Sequence, residues 1–417
     1  MNFFKKISLT ACLLIVCVQG FSDEKTDSSS CLCIYPVSKF IFKYIQDHPN
    51  QISLAKFNHL RVVLIEAANG YFSVGEKETI STPYQQVDLT IEELNQSGRQ
   101  YFSKAALGVI IEEARQFLEK QGIHWSYLFI GSHQINAQGN DLRSDSDELV
   151  VDISVPTVES LSIRASESSY LTNEAYVQKQ KDRIEENFPL TLPDPSTGFP
   201  GQYIDPQTLN NYLYSLNRHP GKRVDLEIGP TGSPSGLTFD FVVTEDRPYH
   251  FYFSATNNNP KVIHHWQESF GFLHTQLTGR DDILKLNYST DSFDSFYTAY
   301  ASYEAPFVMS TTTRWSLSGN YNRFLSAEFG LSPNLFKGTQ GIVDFEVIGT
   351  FYQKNKFFLE AFGLMEYRHI HNREHAINPT VLKNFLLPAI GLKAVELKLE
   401  SKIIASLQLE TTMSNLF

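Results

Sequence analysis

From Tyr249 onward the chain alternates apolar and polar residues almost without a break. Tyr249, Phe251, Phe253 and Ala255 alternate with His250, Tyr252, Ser254 and Thr256. Trp315, Leu317, Gly319 and Tyr321 alternate with Arg314, Ser316, Ser318 and Asn320. A period of two places each set on one face of a β-strand. The runs 284–288, 343–351 and 357–367 behave in the same way, and about ten such segments follow one another. Some connections are short and polar, as in "TGRDD" and "YQKNK"; others are longer, as in "RHIHNREHAINP".

Before Arg247 the periods are mixed. "HLRVVLIEA" reads as a strand, and in "LTIEEL" Thr90 and Glu93 have capping-box spacing. Leu107, Ile110, Ile111, Ala114, Phe117 and Leu118 recur at helical spacing, with Gly122 placed to end that helix. "HWSYLFI" and "ELVVDISV" are strands. The order then recurs: strand "ESLSIRA", a helix over "TNEAYVQKQKDRIEENF" capped by Thr172, and a second helix capped by Asp205 with Pro206 at its first position. Leu209, Tyr212, Leu213 and Leu216 form the packing face of that second helix. Strands "KRVDLEI" and "GLTFDFVV" follow, joined by the turn-rich "GPTGSPSG". This predicts two α/β units, 59–156 and 157–247, that repeat in order but not in sequence. Upstream, 21–58 reads as a leader in which "VSKFIFKYIQDHP" predicts a short helix between Ser38 and Pro49.

Residues 1–20 read as a secretory signal peptide, with Lys5 and Lys6 before the apolar run 7–18. No later window is long and apolar enough for a spanning helix. The net charge of −11 argues against nucleic-acid binding. Cys31 and Cys33 are too close for a relaxed disulfide and read as an ordinary pair in the leader. One-sided alternation fits either a soluble sandwich, apolar side in, or an outer-membrane barrel, apolar side out. The signal peptide, the 31 Phe and 20 Tyr, and polar partners rich in Ser, Thr and Asn favour the barrel. Enzyme chemistry finds little support. "GSPSG" lies in a hairpin and lacks the nucleophile-elbow spacing. His369, His371 and His375 have neither helical spacing nor a carboxylate partner for a metal.

The stretch "LNRHPGKRVDLEIGPTGSPSGLTFDFVVTEDRPYHFYFSATNNNP" carries a resemblance. It is similar to the pattern of two-partner secretion outer-membrane transporters (TpsB type, the hemolysin secretion/activation protein family). In these, a helix ends in an "LN..PG" step, then come a strand, a Pro/Gly hairpin, a second strand and the first barrel strand. "GRDDILKLNYST" and "YASYEAPF" resemble later family segments. The resemblance is good over 150–310, partial over 60–150 and confined to pattern beyond. It implies α+β periplasmic POTRA domains followed by an antiparallel transmembrane β-barrel over 248–417. The Val-Arg-Gly-aromatic motif of the family's inward loop is absent, and the strands stop early, so an incomplete barrel is expected.

The resemblance further implies an outer-membrane transporter without covalent chemistry or cofactor, its N-terminal domains in the periplasm. The expected partners are a secreted exoprotein of hemolysin or adhesin type, outer-membrane lipid, and the barrel-assembly machinery that inserts such proteins. An extended client can add to an exposed strand edge, which points to Arg223, Val224, Asp225, Leu226, Glu227 and Ile228. Arg314, Ser316 and Asn320 are the expected pore-lining positions. An assembly factor that inserts other barrels, or a truncated transporter without function, would carry the same marks.

Overall fold

Phe40, Phe42 and Tyr44 are buried at alternate positions, and the segment that holds them is a strand. The computed structural model describes residues 34–414 apart from 145, 234, 258–265, 292, 294–295, 308–309, 327–335, 375–379, 398–401 and 412; the leader cysteines and signal segment lie outside them. Two units emerge. The first comprises Met1–Glu159, Leu192–Ile204 and Ile228–Thr238, the second Ser160–Thr191, Asp205–Glu227 and Phe239–Phe417.

In chain order the first part contains β1 (Ile34–Val37), β2 (Lys39–Tyr44), β3 (Arg61–Ala67), β4 (Gly70–Phe72) and β5 (Tyr84–Thr90). Then come α1 (Ile91–Gln96), β6 (Gln100–Ser103), α2 (Lys104–Lys120), β7 (Tyr127–Ile130) and β8 (Glu148–Ser154). The helix expected between Ser38 and Pro49 is therefore corrected to β2. Aromatic residues at period two suit a half-buried strand, and β2 lies parallel to β8. Tyr35, Val37, Phe40 and Phe42 share one core with Leu149, Val151 and the face of α2, so this part of the expected leader packs into the first module. The capping box at Thr90 forms as read, with both reciprocal bonds present.

A second, five-stranded sheet of order β1-β6-β4-β3-β5 was not foreseen. Its tight point is Gly70, with φ of 130°, where an added Cβ would lie 2.3 Å from the Tyr101 carbonyl oxygen. Gly70→Ala is expected to destabilise this sheet by roughly 2 kcal/mol or more. Pulse proteolysis of the full chain in urea reads this as cleavage within 34–158 at lower denaturant; unchanged cleavage would count against the strain.

The second module contains β9 (Thr157–Ala165), α3 (Glu174–Glu186), α4 (Pro206–Leu216), β10 (Lys222–Pro230) and β11 (Gly236–Glu245). Its strand order, β10-β11-β9, repeats β7-β8-β2 of the first. In each, the last strand is central and the middle strand is an edge. The cap of α3 is Asn173, whose Oδ1 accepts from the Tyr176 N–H at 2.9 Å, and not Thr172. Asp205 caps α4 as expected, accepting from the Gln207 and Thr208 N–H groups. Tyr212, Phe188, Phe239 and Phe241 meet edge-on behind it.

From Tyr249 nine strands follow as a meander: β12 (Tyr249–Thr256), β13 (Gln267–His274), β14 (Ile283–Thr290), β15 (Tyr297–Pro306), β16 (Thr313–Ser326), β17 (Phe336–Lys354), β18 (Phe357–Glu374), β19 (Thr380–Leu397) and β20 (Lys402–Glu410). The short β21 (Met413–Ser414) pairs with β19. Among the described residues the sheet is open, with β12 and β20 at its edges. Its apolar face is the exposed one: Phe251 is 76% and Leu407 69% accessible. A soluble sandwich would bury that face, whereas a membrane sheet presents it to lipid. The fold class is thus a pair of α+β modules followed by an antiparallel β-barrel portion, as the POTRA–barrel resemblance implied.

Candidate functional site

Seven consecutive residues, Leu216 to Lys222, tie the second module together and to the nine-stranded sheet. Leu216 is buried in the module core. The Asn217 amide accepts from the Val224 N–H at 2.7 Å and donates to the Val224 carbonyl at 2.9 Å, so it acts as a one-residue neighbour for edge strand β10. Arg218 pairs with Glu360, donates to Thr350 Oγ1 at 3.2 Å and lies 4.9 Å from the Phe358 ring. His219 Nε2 donates to the Thr275 carbonyl at 2.6 Å. Gly221, with φ of 79°, turns the chain so that its carbonyl accepts from the Asp246 N–H. Lys222 then points into a buried charge cluster.

The centre of that cluster is Asp281, in the β13–β14 turn, at a left-handed φ of 58° and 1% exposed. Its Oδ2 forms ion pairs with both Lys222 and Arg183. Its Oδ1 accepts from Gln276 Nε2 at 2.9 Å, and that same nitrogen donates to Glu245 Oε1 at 2.7 Å. Tyr176 OH donates to the same Glu245 oxygen at 2.5 Å. Around the turn, α3 supplies further donors: Lys179 to the Thr278 carbonyl at 2.7 Å and Arg183 to the Arg280 carbonyl at 3.3 Å. A second clasp lies at the β17–β18 turn. There Asn211 of α4 accepts from Gln353 Nε2 at 2.6 Å and from the Asn355 N–H at 2.7 Å. Each helix of the module thus holds a different turn of the sheet.

Burial sets the protonation states. It would raise the Asp281 carboxyl, but Lys222 and Arg183 reverse this and hold it below the usual range. Burial lowers Lys222, opposed by Asp281. Burial pushes Glu245 up to about 7 and His219 down to about 4, from 4.5 and 6.5. A raised Glu loses stability as pH climbs through its folded pKa, while a depressed His loses stability as pH falls below its unfolded one. Between pH 4.5 and 6.5 the two slopes oppose each other. Glu245→Gln should leave the His219 slope unopposed, so the joint weakens on acidification by up to about 3 kcal/mol. Urea titrations of the wild type and the variant across that range check this; parallel pH profiles would contradict it.

The residues expected to line a pore share the polar face. Arg314 pairs with Glu304 at 2.5 Å and donates to the Asp281 carbonyl at 2.8 Å. Ser316 faces Glu304 and Glu346 in register, and Asn320 faces Tyr300 and Ile342. The proposed client strand is β10, a sheet edge, in which Val224 is buried and Arg223 pairs with Asp225 at 2.9 Å. His369 and His371 are strand residues of β18 and not loop residues; His375 lies outside the described residues. Among the described residues no group of three potential metal ligands occurs. Sequence reasoning missed Asp281, Arg183, Glu245 and Lys222. The available signal was dense polarity at "NRHPGK" and the paired Asp281–Asp282.

Two modules of this topology joined to an exposed-apolar antiparallel sheet give the fold that the resemblance implied. Among solved structures, CdiB from Escherichia coli superposes with a TM-score of 0.51 at 13% identity, over 95% of this chain and 62% of CdiB. CdiB from Acinetobacter baumannii gives 0.46 at 13% identity, over 91% and 62%. BamA from Haemophilus ducreyi lacking POTRA domains 1-3 gives 0.42 at 11%, over 74% and 57%. The chain spans less than two thirds of the length of each. No protein-family model and no curated protein matches the sequence.

Proposed function

We propose that this chain is an outer-membrane transporter that receives an extended, secreted partner protein on its periplasmic α/β modules and passes it along the polar face of the sheet. The observation that carries this reading is the buried joint at Asp281, which fixes the second module to turns at one end of that face. Backbone pairing at a strand edge supplies affinity without demanding a client sequence. On β10 the outward backbone groups of Val224 are already taken by Asn217. By strand alternation the free edge then begins at Leu226 and continues at Ile228. Within the candidate strand, Arg223, Asp225 and Glu227 direct their backbone groups to β11.

Arg314, Ser316 and Asn320 lie along the polar path. The reading requires no cofactor and no nucleotide; folding of the client outside the cell would prevent its return. The test is the culture supernatant of a strain lacking the gene, compared with one complemented by the full chain. Restoration of at least one large secreted protein is expected. Identical supernatants would remove the export reading.

A further inference from the structure

A groove of about 560 Å³ opens on the apolar face of the sheet. Its floor is built from small residues in neighbouring registers, Ala299, Ala301, Gly319 and Gly341, and its walls include Leu286, Val343 and Tyr367. A Cβ built on Gly341 meets nothing within 4 Å, so the space above this glycine is open. At one end the chemistry changes. His369 lines the groove, opposite Gly341 and Tyr321 in register. The next row on this face holds Arg323, Thr339 and His371.

Two features leave this end prepared for a phosphate group, one cationic and one able to accept a P–OH proton. The Arg323 guanidinium lies 5.7 Å from the Tyr297 ring, and its buried Nε has no hydrogen-bond partner among the described residues. His369 Nδ1 lies 2.7 Å from Asn384 Oδ1. A carbonyl oxygen can only accept, so Nδ1 carries the proton and Nε2 is an acceptor, which a phosphate meets through a P–OH group. On this face, the three rows from β14 to β18 contain no Asp or Glu. A cation on a lipid-facing surface is costly unless it is paired or reaches the interface.

We propose that the groove holds an acyl chain of a phosphorylated, multiply acylated outer-membrane glycolipid, with a phosphate seated over Thr339 between Arg323 and His371 and within reach of His369. Those two flanking strands are about 10 Å apart, two strand spacings, which suits one phosphate between two long side chains. The proposal rests on the membrane reading of the sheet: with the modules in the periplasm, the Arg323 end of β16 faces the outer leaflet. An apolar trough closed by a basic end matches the acyl-then-phosphate order of such a lipid. Neutral lipid would leave the cationic end unpaired.

The test is native mass spectrometry of the full chain in mild detergent, titrated with purified lipid A, the same lipid stripped of phosphate, phosphatidylglycerol, and inorganic phosphate. One lipid A should be retained. Removal of its phosphates, or Arg323→Gln, should weaken retention about tenfold, the loss of one charge-assisted hydrogen bond. Gly341→Leu fills open space without a backbone clash, so it should keep the heat-modifiable mobility of the folded sheet and still lose the lipid. Wild-type retention by folded Gly341→Leu overturns the proposal, as does equal binding of phosphatidylglycerol or displacement by inorganic phosphate alone. A chain absent from the outer membrane would instead sink the membrane reading itself.

Discussion

Asp281→Ala should break the joint between the second module and the sheet. The side chain is buried, as are its partners Lys222 and Arg183. Removing it leaves two cations without compensation in a dry site, and such a loss typically costs about 3–5 kcal/mol. The turn 278–282 would also lose the anchor that keeps it against α3, because Gln276 would no longer bridge two carboxylates. In outer-membrane preparations the variant should expose 160–191 to protease at far lower urea than the wild type, and export should fall with it. Lys222→Met in the same chain should restore part of the loss by removing one of the orphaned charges. Wild-type protease resistance of Asp281→Ala would mean that the cluster contributes little to docking.

Deleting the α/β modules should abolish export while sparing the sheet. The deletion is best drawn as 34–246, because β1 and β2 share the core of the first module. Among the described residues, strands β12 to β20 pair only with one another and with β21, so their ladder survives the loss. The polar groups of the β13–β14 turn would become solvated and not stranded, which limits the cost of removing their partners. The shortened chain should therefore still enter the outer membrane and keep heat-modifiable mobility. The secreted partner should drop to the level of the strain lacking the gene. Export at normal level from this chain would refute a capture role for the modules.

What could be read from the sequence followed from local signals. Period-two alternation from Tyr249 located β12 to the residue, because a change of face at every residue has no helical counterpart. Asp205 followed by Pro206 defined the start of α4 through the geometry of its cap. Where two capping residues stand side by side, as at Thr172 and Asn173, composition does not choose; the chain used Asn173. Phe40, Phe42 and Tyr44 were read at the wrong period because the flanking Ser38 and Pro49 suggested helix ends. The five-stranded sheet was hidden because its strands are short and pair out of sequence order. The joint was hidden for a different reason. Arg183, Lys222, Glu245 and Asp281 are dispersed over about a hundred residues, and each alone resembles a solvated surface charge. Only the fold brings them into one buried site.

The export and lipid expectations depend on the sheet lying in the membrane with its apolar face outward. Fractionation of cells expressing the full chain, followed by a urea wash of the outer membrane, tests this most directly. The chain should remain with the washed outer membrane and migrate faster unheated than boiled. Recovery in the soluble periplasmic extract, with no heat-modifiable form, would contradict it.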